Sequence, residues 1–95
     1  MADITRNDTE QRWELVEDGR VVGRLEYTEH EDLVSLTHTI VEPEHNGRGV
    51  AGDLVRTALD TLRDEGRRVR PECPYVVRWI ERHPSYQDLV HTEWS

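Results

Sequence analysis

Between an alternating stretch that ends at Val41 and a stretch of helical periodicity that begins near Val50, the chain carries Gly47-Arg48-Gly49-Val50-Ala51-Gly52. A strand, a glycine-rich turn and a helix in succession give a backbone that can approach a ligand closely, because glycine lacks a Cβ and reaches φ values closed to other residues. The first helical turn adds amides without intrahelical partners and the positive end of the helix dipole, so the unit suits a pyrophosphate. The chain must fold so that this turn stays open, and the nucleotide it takes decides the function.

The flanking pattern limits the architecture. Trp13 to Val16 and Val21 to Tyr27 flank Glu17-Asp18-Gly19-Arg20, whose Asp-Gly pair predicts a hairpin. His30-Glu31-Asp32 makes a second polar turn, and Leu33 to Val41 reads as a third strand whose alternation puts Val34, Leu36, His38 and Ile40 on one face. Pro43 ends that strand. Val50, Ala51, Leu54, Val55, Ala58, Leu59 and Leu62 keep one apolar stripe at helical spacing, and Gly66 with Arg63 and Arg67 nearby marks the helix end. Arg68 to Cys73 follows as a short strand, and Pro74 opens a second helix with Val76, Val77, Trp79 and Ile80 inward before Pro84 stops it. The tail from Ser85 to Ser95 packs back through Tyr86, Leu89, Val90 and Trp94, while residues 1–11 read as a flexible polar arm. The order βββ-α-β-α predicts an α/β (α+β) fold in which a mixed, mostly antiparallel sheet is flanked by two helices.

Ninety-five residues make one domain, 1–95, that buries only roughly 60–68 % of its unfolded surface, so core and site share few elements. With 12 basic against 20 acidic side chains and a net charge of −8, a general nucleic-acid or anionic-membrane binder is disfavoured, and any anionic ligand must be held by local geometry. The single cysteine, Cys73, excludes an internal disulfide and a Cys-pair zinc site, and the five scattered histidines suggest no metal. The N-terminus lacks the apolar core of a signal peptide, and no apolar run approaches the ~20 residues of a membrane span. The expectation is a cytoplasmic protein, monomeric or weakly dimeric.

Gly47, Gly49 and Gly52 formally satisfy G-x-G-x-x-G, with Glu72 where a dinucleotide fold places its ribose-binding acid. Such a fold, however, puts its first glycine directly after its first strand. Here Glu42 to Asn46 intervene, three antiparallel-looking strands precede, and no second half follows. No Gly-Lys-Ser/Thr follows the glycines, which excludes a Walker A loop. Asn46-Gly47-Arg48-Gly49-Val50-Ala51 entering a helix resembles instead the acetyl-CoA loop of the GNAT acetyltransferases, Arg/Gln-x-x-Gly-x-Gly/Ala, with Gly49 and Ala51 at the last two fixed positions and Asn46 in place of the Arg or Gln. Together with His38-Thr39-x-Val41, Pro-x-Cys73-x-Tyr75-Val76 and His83-Pro84-x-Tyr86, the chain is similar to the small, single-domain GNAT-like subfamily.

That resemblance implies an acetyl-CoA-dependent N-acetyltransferase in which coenzyme A enters a wedge between the strands ending at Val41 and at Cys73. The pantetheine arm would pair with Thr39, Ile40 and Val41, the pyrophosphate would lie on Asn46, Gly47, Arg48, Gly49, Val50, Ala51 and Gly52, and Arg82, His83 and Tyr86 would stand near the adenosine. It implies an open acceptor side, without the helices that wall it in larger relatives, suited to a protein amine or a polyamine. For Arg82 and His83 the residues alone allow equally a solvated helix end favoured by the dipole.

Acetyl transfer to an amine requires a deprotonated nucleophile and a stabilised oxyanion. Histidine is the side-chain type suited to proton exchange near neutral pH, so His38 can accept the amine's proton, or it is a hydrogen-bonded structural histidine. Cys73, just before a proline-started helix, is placed for a stabilised thiolate and an acetyl-cysteine intermediate; a buried inert cysteine with direct transfer is the other reading. Tyr75 or Tyr86 could protonate the leaving thiolate, or simply pack. The rival from another class is a non-catalytic acyl-CoA-binding or interaction module.

Overall fold

In the computed structural model, which describes residues 2–91, Asp18 and Gly19 both take positive φ, 52° and 78°. That is the conformation a two-residue hairpin turn of matching twist demands, and an Asp-Gly pair adopts it at low strain. The turn joins strands β2 (Arg12–Glu17) and β3 (Arg20–His30), and Glu31, with φ 56°, turns the chain into β4 (Leu33–Val41). After the glycine loop comes helix α1 (Val50–Asp64), then strand β5 (Arg68–Pro71) and helix α2 (Pro74–Arg82). The amides of Gly66 and Arg67 donate to the carbonyls of Arg63 and Leu62, closing α1 by the paired bonds that a left-handed glycine permits.

The polar arm expected over residues 1–11 is instead largely a fourth antiparallel strand. β1 (Ala2–Asn7) pairs with β2 from Ala2 opposite Glu17 to Asn7 opposite Arg12. Ile4 packs against the core, and Arg6, also turned inward, lays its guanidinium 5.2 Å from the Trp13 ring while donating to Glu65. An arginine at an inward position breaks the apolar alternation by which a strand is recognised.

The sheet order is β1-β2-β3-β4-β5, antiparallel except for the parallel β4–β5 pair. Trp13, Leu15, Leu25 and Leu36 of the sheet meet Leu54, Val55, Leu59 and Leu62 of α1 and Val76, Trp79 and Ile80 of α2 in one core. Val77, expected inward, is exposed on α2. The tail returns as a short 3-10 turn, Pro84–Leu89, with Leu89 buried and the His91 amide donating to the Val69 carbonyl. Trp94 lies outside the described residues.

Two features of the sheet position the site. The strands β1 to β4 are joined only by short turns, so no helix stands between them. β4 also outruns its neighbour: the register pairs Leu33 to Leu36 with Arg68 to Pro71, the Leu36 carbonyl accepts from both the Glu72 and Cys73 amides, and the chain then turns away into α2. Beyond that point, among the described residues, Thr37–Val41 has no strand on its β5 side, and the sheet opens as a wedge.

Candidate active site

The wedge leads into a cleft of ≈ 620 Å³. Thr39, Ile40 and Val41 line one side; Asn46, Gly47, Gly49, Val50 and Ala51 line the end; Tyr75 from α2 closes the other side. The glycines take the left-handed conformation that their residue type permits, with φ 83° at Gly47 and 80° at Gly49. A Cβ at either position would meet nothing within 4 Å, so it is the positive φ and not crowding that calls for glycine here. Gly49 caps α1 with its carbonyl, which accepts from the Asp53 amide, and no side chain caps the first turn. The amides of that turn thus remain available to an anion.

Gly52 is closed off by α2: Tyr75 Oη and Trp79 Nε1 each stand 3.5 Å from where its Cβ would be. Gly52 and Arg48 do not line the cleft. Arg82 and His83 line a neighbouring cavity of ≈ 500 Å³ with Tyr75, Arg78 and Trp79. Tyr86 lines neither; its hydroxyl donates to Asp60 Oδ1 at 2.8 Å, a bond that raises its pKa, and its ring stands edge-on to Trp79 at 5.0 Å. His83 stacks on Trp79 with ring centroids 3.9 Å apart, and its Nδ1 lies 2.7 Å from the Trp79 carbonyl.

Cys73 is the N-cap of α2, 6 % exposed, with its Sγ 3.4 Å from the Thr39 hydroxyl across the throat of the wedge. Burial pushes its thiol up, but the Thr39 hydroxyl and the amides of Val76, Tyr75 and Thr39 outweigh this and bring it below the ordinary cysteine value. The result is a thiol that ionises more readily than a free cysteine.

His38 sits elsewhere. The register steps from Leu36 opposite Tyr27 to His38 opposite Glu26, so Thr37 is an extra residue in β4. A bulge of this kind moves every later side chain to the other face. Val34 and Leu36 are therefore buried in the core whereas His38 and Ile40 are exposed, which corrects the single face read from the alternation. The His38 Nδ1 lies 3.4 Å from Glu26 Oε1 with 68 % of its side chain exposed, outside the cleft lining. The same bulge turns Thr39 toward Cys73.

His45, missed in the sequence, is the best-held side chain of the loop. It lines the cleft with only 12 % of its side chain exposed, and its Nε2 lies 3.3 Å from Glu17 Oε1. Its Nδ1 is buried without a hydrogen-bond partner, 4.0 Å from Glu42 Oε1, and its carbonyl accepts from the Arg48 amide. Glu42, Glu44 and His45 present ligand atoms within 4.8 Å of one another, and Arg20 pairs with Glu42.

A sheet splayed between two parallel strands, with a glycine loop and helix N-terminus at the mouth of the splay, is the arrangement of GCN5-related acetyltransferases. The family model described as GCN5-related N-acetyl-transferase matches residues 12–89. The chain belongs to this family. It is 33 % identical over 61 residues to protein NATD1 of Gallus gallus, covering 64 % of the chain and 56 % of that protein, so the chain spans about half the length of such relatives. The fold matches the solution structure of a GCN5-like protein from Staphylococcus aureus with a TM-score of 0.73 at 20 % identity, over 94 % of this chain and 87 % of that one. It also matches the ribosomal-protein-S18-alanine N-acetyltransferase of Escherichia coli with a TM-score of 0.59 at 18 % identity, over 65 % and 42 % of the two chains.

Proposed function

We propose that the chain binds acetyl-CoA in the wedge and transfers its acetyl group to an amine. One observation carries this reading: the edge of β4 left without a strand partner runs directly into a loop whose helix-start amides are also without partners. An extended arm bearing amides fits the first, and a pyrophosphate fits the second. The pantetheine then pairs with Thr39 to Val41, the diphosphate lies over Gly47 to Ala51 beside Asn46, and the adenosine end extends past Tyr75 toward Arg82 and His83. Tyr86, engaged with Asp60, holds Trp79 in place for that end.

The environment of Cys73 supports it as the acyl carrier. Its thiolate attacks the acetyl carbonyl, the bond from that carbon to the CoA sulfur breaks, and CoA leaves as the thiolate. A neutral amine then attacks acetyl-Cys73; the carbon–Sγ bond breaks, the electron pair returns to Sγ, and the amine's proton passes to solvent. His38, beside Glu26 on the outer face of the sheet, is positioned for an acceptor that arrives from that side. The short connections among β1 to β4 leave that side unwalled, which supports a bulky cationic acceptor such as a protein amine or a polyamine.

CoA release with a panel of amines tests the reading. Turnover above a protein-free control, lost in Cys73→Ser and reduced in His38→Ala, is the expected result. CoA affinity without turnover for any amine would leave an acyl-CoA-binding module, and full activity in Cys73→Ser would establish direct transfer instead of an acetyl-cysteine.

A further inference from the structure

Two cavities share Tyr75 as a lining residue, one at the glycine loop and one along α2. The first contains the glycine loop. The second, of ≈ 500 Å³, runs along α2, where Arg78 and Arg82 stand four residues apart and so project from consecutive turns of the same helix face. Tyr75 and Trp79 pack against Gly52 in the first turn of α1, so the second cavity begins where the loop's amides end.

The charge pattern singles out this pair. Most other arginines are engaged, Arg6 with Glu65, Arg12 with Glu14, Arg24 with Glu26, Arg63 with Asp88 and Arg67 with Glu29, while Arg56 lies 5.3 Å over the Trp79 ring and Arg48 belongs to the glycine loop itself. Among the described residues Arg78 and Arg82 make no ion pair or hydrogen bond. In a chain of net charge −8, two neighbouring guanidinium groups left without carboxylates on the wall of a cavity form a site for an anion from outside the chain.

We propose that Arg78 and Arg82 bind the 3′-phosphate of the CoA ribose, so that the chain selects CoA over dephospho-CoA. The inference rests on the CoA reading above. CoA carries its pyrophosphate and its 3′-phosphate on opposite sides of one ribose, and one aromatic side chain separates the loop from the two arginines. A phosphate monoester offers three terminal oxygens to two planar forks, which a single arginine cannot fully use. Both side chains border open solvent, so the selectivity is moderate and weakens with salt.

Calorimetric titration of the whole chain with CoA and with dephospho-CoA tests this. The parent binds CoA about tenfold more tightly than dephospho-CoA, each exposed guanidinium contact contributing a few-fold, and the ratio narrows as salt is raised. In Arg78→Gln/Arg82→Gln the ratio falls to about one, because CoA affinity drops more than dephospho-CoA affinity. Equal affinities in the parent, or an unchanged ratio in the double variant, overturn the 3′-phosphate subsite while the CoA reading stands. Failure of the parent to bind either ligand overturns both.

Discussion

Gly23 lies in β3 opposite Val41, under the first turn of α1, and its Cβ position is only 2.6 Å from Val50 Cγ1 and 3.3 Å from Leu54 Cδ1. Gly23→Ala forces the start of α1 off the sheet, or Val50 out of its rotamer. Overpacking at such a contact costs up to about 3 kcal/mol, because a β-branched residue in a helix has essentially one χ1 well. The added methyl recovers about 0.8 kcal/mol by burial, and the stiffer unfolded chain another ~0.5 kcal/mol. The net loss is about 1.5 kcal/mol, which for a domain of this size lowers the melting midpoint by roughly 6–12 °C. Since Val50 also lines the cleft, CoA affinity falls with it. Melting curves for Gly23→Ala, Val50→Ala and the double variant form the assay. Removing the Val50 methyls relieves the clash, so the double variant is more stable than additivity allows by about 1 kcal/mol. A Gly23→Ala protein that melts at or above the parent, or an additive cycle, refutes the packing argument.

Further expectations follow from the loop and the thiol. Gly49→Ala places an L residue at φ 80°, which costs about 1–2 kcal/mol and disturbs a loop residue that lines the cleft; melting falls and CoA binding weakens together. His45→Ala frees the turn from Glu17, with CoA affinity dropping several-fold in titration and stability falling by about 1 kcal/mol. The Cys73 pKa is lower folded than unfolded, so the folded form holds fewer protons between the two values. Relative to Cys73→Ser, the parent therefore gains stability as pH rises through that window and loses the gain as pH falls, read by denaturant titration. Thr39→Val removes the hydroxyl partner and moves the pH midpoint of Cys73 alkylation upward.

The elements legible in the sequence were those whose signals are local. The Asp18-Gly19 turn, the apolar stripe of α1 with its Gly66 stop, and the proline bounds of α2 each follow from a few adjacent residues. β1 was hidden because its inward positions hold Ile4 and Arg6, and an arginine that folds over Trp13 reads as polar in any alternation. The face of His38 was misread because a bulge has no composition of its own; Thr37 becomes the extra residue only through the pairing with β3. In the site, the glycine loop and Thr39 to Val41 were legible from type and order. His45 was not, since its role depends on Glu17, 28 residues away across the sheet. Arg78 could have been noticed one turn before Arg82, but its lack of a carboxylate partner is visible only in three dimensions.

The account stands on a wedge that receives the pantetheine arm and a loop that receives the diphosphate. Titrating isotopically labelled protein with acetyl-CoA, while following every backbone amide by NMR, tests both at once. The largest saturable shifts are expected at Gly47, Gly49, Val50 and Ala51 and along Thr39 to Val41, with the β1–β2 edge unmoved. Binding that leaves those amides in place, or no shift at saturating acetyl-CoA, would contradict it.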